Sequence, residues 1–267
     1  MRKNNNERQK VAVITGGSSG IGKVIIKTLN EYGYKTVCVS RTAPPEEIEC
    51  DFFQCDLSVS EQAEITAKRI ADKYEKIQLI INNAGLGISG ATELLPMESV
   101  RYVMEVDYFA PFIFTRALLK SVPKGGKIIM LSSACALFAL PYRNVYCSAK
   151  AALNMLSYGL RMELKNSGIS VVTVCPGDVK SEFTANRLKF EQTNERYGNN
   201  VIESQQKIDG RQNKRMDVNK VGKKIAKIAV KKKRALYIVG AKYKLLYFCS
   251  RVFSLNFMLK VTGKIFS

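Results

Sequence analysis

Tyr146 and Lys150 stand four apart in Tyr-Cys-Ser-Ala-Lys, a spacing that sets a phenol and an ammonium on one helix face. A free phenol titrates near 10 and is a poor base at neutral pH. A neighbouring cation favours phenolate, so such a pair can exchange a proton with a substrate oxygen. The spacing is common, and alone it says nothing. A second signal is Thr15-Gly16-Gly17-Ser18-Ser19-Gly20-Ile21-Gly22. Glycines at a strand-to-helix turn let backbone N–H groups approach a pyrophosphate at the helix start. The pattern is TGxxxGxG, not GxGxxG, so the general dinucleotide fingerprint is not met literally. A ligand-free Gly-rich turn is the plain alternative. The 267-residue chain contains no histidine. Acid–base chemistry therefore falls to Tyr, Lys, Cys, Asp or Glu, and no metal site is expected.

These residues need elements to hold them. Val11–Thr15 is a short apolar run ending at glycine, which reads as a buried strand. Helical spacing follows over Ile21–Tyr32, and Thr36–Ser40 and Phe52–Cys55 read as the next strands. Glu61–Tyr74 is a helix with Ser60 as N-cap. Ile77–Ile81, Lys127–Leu131 and Ile169–Cys175 are further strands, and Glu98–Leu119 and Tyr146–Lys165 are long helices. Strands apolar on both faces, alternating with helices, predict a doubly wound α/β fold: a parallel sheet covered on both sides. Residues 177–216 are polar and break the alternation, the mark of a functional or mobile loop. Asp217 caps a helix through Lys232, and Ala235–Val239 is a last strand. Residues 1–9 read as a loose arm, 10–240 as the dinucleotide-binding domain, and 241–267 as a helical extension.

The composition is that of a globular chain, 46% hydrophobic and 24% charged. Net charge is +19, unevenly spread: residues 207–267 carry 17 Lys/Arg against two acids, +15, and no acid follows Asp217. A basic end can meet an anionic membrane surface, nucleic acid or an acidic partner, or be a solvated face. No nucleic-acid-binding signature accompanies it, so no specific nucleic acid is expected. The extension mixes Leu, Phe, Tyr and Lys. It is too short and interrupted to span a membrane; it could lie at an interface, cover the cleft or pack on another subunit. Seven cysteines, with no CxxC pair and no secretory leader, read as reduced thiols of a cytoplasmic protein. Cys135 and Cys147 read as small buried thiols.

Taken together, the motifs resemble the main Tyr-x-x-x-Lys branch of the short-chain dehydrogenase/reductase family, over about residues 10–240. They are the Gly-rich turn, Asp56-Leu57, Asn82-Asn83-Ala84-Gly85, Ser133, Tyr146/Lys150, and Pro176-Gly177 with Val179 and Ser181. The resemblance implies that Tyr146 is the general acid in ketone reduction and that Lys150 lowers its pKa and holds the nicotinamide ribose. Ser133 would bind the reacting oxygen, with the adjacent Ser132 a strand-end hydroxyl. Gly16, Ser18, Ser19 and Ile21 would line the pyrophosphate, and Asp56 and Leu57 would flank the adenine. Asn83, Ala84 and Gly85 would sit near the adenosine ribose, with Asn82 structural. Val179 and Ser181 would contact the nicotinamide amide.

The second strand ends in Ser40-Arg41-Thr42, with no acid to hold a ribose 2′-OH. Arg41 suits a 2′-phosphate, so NADP(H) is expected over NAD(H). One departure concerns Asp107, where the family has Asn. An ionised Asp donates no hydrogen bond and adds a negative charge near Lys150. The implied activity is NADP(H)-dependent interconversion of a secondary alcohol and a ketone, on an apolar small molecule such as a hydroxysteroid, bile acid or keto-lipid. Alternatives are a 3-ketoacyl or general carbonyl reductase, and a non-catalytic cofactor-binding sensor. A homodimer or homotetramer built on the two long helices is also implied.

Overall fold

The computed structural model describes residues 9–210, 215–231 and 233–266. Of the expected arm, all but Gln9 lies outside the described residues.

Seven strands form one sheet: β1 (Val11–Thr15), β2 (Lys35–Ser40), β3 (Asp51–Gln54), β4 (Leu79–Asn82), β5 (Lys127–Leu131), β6 (Ser170–Pro176) and β7 (Leu236–Val239). Their spatial order is β7-β6-β5-β4-β1-β2-β3, and every pairing is parallel. In β1, Val13 pairs with Val37 on one side and Ile80 on the other. The strand order reverses between β1 and β4, which opens a crevice beyond their C-terminal ends.

The described residues form ten α-helices: α1 (Gly20–Glu31), α2 (Ser60–Lys73), α3 (Met97–Met104), α4 (Ala110–Leu118), α5 (Asn144–Glu163), α6 (Glu182–Ala185), α7 (Asn200–Asp209), α8 (Val218–Lys231), α9 (Ala241–Val252) and α10 (Leu255–Phe266). Ala67 and Ile70 of α2, Phe114 and Leu118 of α4, and Leu153 of α5 pack on one sheet face. Ile25, Ile26 and Leu29 of α1 join Ile225 and Ala229 of α8 on the other. The doubly wound reading holds because each strand from β1 to β6, except β3, has two apolar faces to bury.

The differences have local causes. β3 alternates between half-buried and exposed residues, since it is the sheet edge. Ser60 is the first residue of α2 rather than its cap; Val59 takes the cap position, and the Ser60 hydroxyl donates to Glu105 at 2.8 Å. The helix expected over Glu98–Leu119 is interrupted by a π-helical turn, Glu105–Phe109. Pro111 offers no N–H to the carbonyl of Asp107, so the ladder widens there. Asp217 does cap α8, accepting the Lys220 N–H at 2.8 Å. Residues 177–216 are not plain loop. They hold α6, α7 and two short pairings, Val179–Lys180 with Met216–Asp217 and Ile88–Ser89 with Leu188–Lys189.

The extension forms α9 and α10, whose inner residues Leu246, Met258 and Phe266 pack with Leu140 and Cys147. Of the three places considered for it, the inner face covers the cleft. No helix among the described residues is long and apolar enough to cross a membrane.

Candidate active site

A cleft of about 820 Å³ lies beyond the C-terminal ends of β1, β4 and β5. Ser133 enters it just after β5, and Tyr146 and Lys150 enter from α5. The Ser133 hydroxyl accepts the Cys135 N–H at 3.3 Å and hydrogen-bonds the Tyr146 phenol. Ser132 turns away and donates to the Lys150 carbonyl at 3.0 Å, a strand-end hydroxyl as expected.

Phe183, carried by α6, lies over Tyr146 with ring centroids 5.6 Å apart. Burial raises the phenol well above 10, Cys135 and Asp107 push the same way, and Ser133 opposes them. The phenol thus stands above its ordinary range, opposite to the direction expected from Lys150. Burial is the main cause, and Lys150 is placed closer to Asp107 than to the phenol ring: its Nζ is 6.0 Å from the Tyr146 ring centre and 3.5 Å from Asp107 Oδ1. It also lies 3.5 Å from the Leu131 carbonyl.

Asp107 sits fully buried in the π turn, below the cleft wall. Its Oδ1 accepts the Leu86 N–H at 2.8 Å, while Oδ2 has no hydrogen-bond partner among the described residues. Burial pushes the carboxyl up to about 6, against the pull of Lys150 and the Leu86 N–H. A Cβ at Gly85 would lie 3.1 Å from both Asp107 Oδ1 and Lys150 Nζ, so residue 85 is small because the ion pair passes beside it.

The opposite wall is the Gly-rich turn. Gly16 adopts φ +65°, and a Cβ at Gly22 would lie 2.1 Å from the Gly16 carbonyl oxygen. The turn therefore closes only with glycine there. At the start of α1, Ser19 makes no side-chain cap and the first turn has no acid, so the helix-end N–H groups face the cleft with their anion-binding character intact. Ser18, Ser19 and Ile21 line this part, and Ser18 Oγ is 3.4 Å from Thr42 Oγ1. Arg41 lies exposed at the end of β2, donating to the Tyr102 hydroxyl at 3.1 Å.

Asp56 and Leu57 line the cleft after β3. Burial opposes ionisation of Asp56, but hydrogen bonds from Ser58, with Arg41 nearby, hold it below the usual carboxylate range. Asn83 spends its amide on the carbonyls of Thr15 and Gly16, both at 2.9 Å, bracing the turn while Ala84 and Gly85 face the cleft. Asn82 is structural, donating to Thr115 at 2.9 Å. Val179 and Ser181 complete the wall; Ser181 Cβ is 3.6 Å from where a Gly20 Cβ would stand. A crossed cradle of glycines, an uncapped helix start and a cation beyond β2 fit a nicotinamide dinucleotide.

The profile of the short chain dehydrogenase family matches residues 10–192. The chain belongs to the short-chain dehydrogenase family. This short-chain dehydrogenase is an NAD(P)-dependent oxidoreductase. It is 32% identical over 228 residues to a 3-ketodihydrosphingosine reductase of Bacteroides thetaiotaomicron, 84% of each chain. It is 31% identical over 245 residues to VdlC, a probable short-chain type dehydrogenase/reductase of Helicobacter pylori, 88% of this chain and 90% of the other. A short-chain dehydrogenase structure from Streptomyces avermitilis superposes with TM-score 0.82 at 24% identity, over 97% of both chains.

Several residues of this dehydrogenase's cleft escaped the sequence reading. Phe183 and Phe266 arrive from segments without a motif. Arg143, Arg187 and Arg215 line the wall near Tyr146, and nothing in their spacing sets them apart from other arginines. Cys135 and Cys147 are also neighbours: the hydrogen bond between them lowers Cys147, while burial raises Cys135.

Proposed function

We propose that this chain is an NADP(H)-dependent reductase of the Tyr-x-x-x-Lys branch, interconverting a ketone and a secondary alcohol on an apolar molecule such as a hydroxysteroid, bile acid or keto-lipid. The observation that carries the reading is the meeting of Ser133, Tyr146 and Lys150 on one wall of a cleft whose other wall is the glycine cradle. The reduced nicotinamide, when bound, supplies the hydride. Tyr146 Oη gives a proton to the carbonyl oxygen, and Ser133 Oγ donates a hydrogen bond to that oxygen as charge develops on it. A phenol held above 10 is protonated at neutral pH, the form needed for reduction. Lys150 holds the nicotinamide ribose and replaces charge at the phenol as the proton leaves. Asp107 positions Lys150 through their ion pair. Gly16, Ser18, Ser19 and Ile21 bind the pyrophosphate, Arg41 the 2′-phosphate, Asp56 and Leu57 the adenine. Asn83, Ala84 and Gly85 border the adenosine ribose, and Val179 and Ser181 the carboxamide.

The extension and two helices suggest where this reductase works. Leu245, Phe248 and Val252 project from one side of α9, and Phe253, Leu255 and Phe257 surround the bend into α10; Leu245 is 64% and Leu255 72% exposed. Lys242, Lys244, Arg251 and Lys260 flank them, with no acid beyond Asp217. Exposed apolar side chains in a segment whose charged residues are all cations match an anionic membrane surface. Phe109, Phe112, Met155 and Met162, exposed around α4 and along α5, are the faces for a homodimer or homotetramer.

The test is oxidation of NADPH and of NADH against ketones weighted to steroids, bile acids and keto-lipids, with Tyr146→Phe beside wild type. Turnover by wild type with NADPH preferred, lost by about 10²-fold or more in Tyr146→Phe, supports the reading. Turnover that survives Tyr146→Phe refutes it.

A further inference from the structure

Three guanidinium groups meet in the cleft near Tyr146. Arg143 precedes α5, three residues before Tyr146, and follows Tyr142, whose φ of +57° is the left-handed conformation that a tyrosine adopts only when held there. Its Nε and Nη2 are buried and have no hydrogen-bond partner among the described residues; its Cζ lies 5.6 Å from the Phe266 ring centre. Arg187 is 8% exposed. Its Nη2 reaches Asp209 at 3.2 Å, yet its Nε is also buried with no partner among the described residues. Asp209 is shared with Lys189, at 2.6 Å. Arg215 spends one N–H on the Ile208 carbonyl at 2.7 Å and lines the same wall. Besides Asp56 near the end of β3, the acids Asp178 and Glu182 border the cleft, but both are exposed, and the Asp178 backbone N–H donates to the Tyr243 hydroxyl at 3.2 Å.

Buried cationic N–H groups without acceptors are costly, and native chains keep few of them. Here Arg143 and Arg187 keep three. Burial, with repulsion from Arg143 and Arg215, pushes Arg187 below its ordinary range despite Asp209. A planar oxyanion meets such forks two donors at a time, which strengthens and orients the pair.

We infer that Arg143, Arg187 and Arg215 form a subsite for a carboxylate or phosphate carried by the substrate, so that the ketone reduced at Tyr146 belongs to an acidic amphiphile. The inference rests on reading the cleft as a ketone site and narrows it. The relative from Bacteroides thetaiotaomicron is named for reduction of a ketosphingoid base, an amino ketone. Three guanidinium groups repel an ammonium, so this cleft is matched to the opposite charge. The apolar Phe138, Leu140 and Phe266 beside the arginines take the chain or ring of the same molecule.

The test is calorimetric titration of the NADP-loaded protein with dodecanoate, dodecyl phosphate, dodecanol and dodecylamine. At least one anion binds about tenfold or more tighter than dodecanol, a difference expected of one well-made charged contact, and dodecylamine binds weakest. The tighter of the two anions names the head group. Arg143→Gln and Arg187→Gln bring the anions down to the level of dodecanol, and Arg143→Lys restores part of the loss. Circular dichroism and NADPH affinity establish that each variant is folded. Equal binding of alcohol and anions, tighter binding of the amine, or anion affinity untouched by both Gln variants overturns the inference. Dodecanoate binding without turnover of any ketone leaves the subsite standing and removes the ketone reading alone.

Discussion

Asp107 is the residue whose single atomic difference from asparagine reaches furthest. In a buried π turn its carboxyl pairs with Lys150 3.5 Å away, which draws the ammonium from the phenol it would otherwise serve. Its folded value near 6 exceeds the unfolded value of about 4. The folded protein therefore holds this proton more tightly than the unfolded chain. Its stabilising effect is complete below about pH 4 and is lost as pH rises through 6. Unfolding free energies of Asp107→Asn and wild type, measured from pH 4 to 7, diverge in favour of the variant as pH rises, by at most about 3 kcal/mol. In kinetics, Asp107→Asn removes an inflection near pH 6 and shifts the alkaline limb of alcohol oxidation to lower pH, because a negative charge beside Tyr146 is gone. A pH–rate profile identical to wild type would refute this role. Arg41 gives a second prediction at this scale. Arg41→Ala raises the KM for NADPH by about tenfold or more and leaves that for NADH nearly unchanged, as read from initial rates with each cofactor.

At the scale of elements, the cofactor wall depends on how closely β1, α1 and the Asn83 segment approach. Gly22 faces the Gly16 carbonyl at a distance no side chain tolerates, and Asn83 Nδ2 would be 2.6 Å from the added Cβ. Gly22→Ala therefore forces the turn open. Its NADPH affinity, titrated by nicotinamide fluorescence, falls by about tenfold or more, and its melting temperature falls too. Unchanged affinity in a folded variant would show that the helix start does not hold the cofactor. The interrupted helix is the second such element. Pro111 and the π turn hold Asp107 beneath Lys150, whereas an unbroken α-helix through Glu98–Leu119 would turn residue 107 through a different angle.

For the whole molecule, charge and exposed apolar surface gather at the same end. Residues 207–267 carry +15, and the outer faces of α9 and α10 expose Leu245, Phe248, Phe253 and Leu255. Flotation with phosphatidylglycerol/phosphatidylcholine vesicles rises with the anionic fraction and weakens with salt. Leu245→Ser with Phe248→Ser and Leu255→Ser abolishes it without changing NADPH affinity, since these side chains point away from the cleft. Should the triple variant instead dissociate an oligomer in sedimentation velocity, a second copy of the chain covers that face. An acidic amphiphile drawn from such a surface would approach a cleft already closed on one side by Tyr243 and Phe266.

The sequence by itself determined the doubly wound sheet, since two-faced apolar strands separated by amphipathic helices have few other ways to bury themselves. It also determined the glycine turn and the cap at Asp217, because each depends on spacing within one segment, whereas Ser133, Tyr146 and Lys150 were singled out as a set only through the family resemblance. The tertiary structure alone decided which partner Lys150 takes, that the phenol is raised rather than lowered, and that Arg143, Arg187 and Arg215 converge. It also gave order to the described residues of 177–216 and an inner and outer face to the extension. These depend on distances between residues tens of positions apart and on the burial of each charge, and local patterns encode neither.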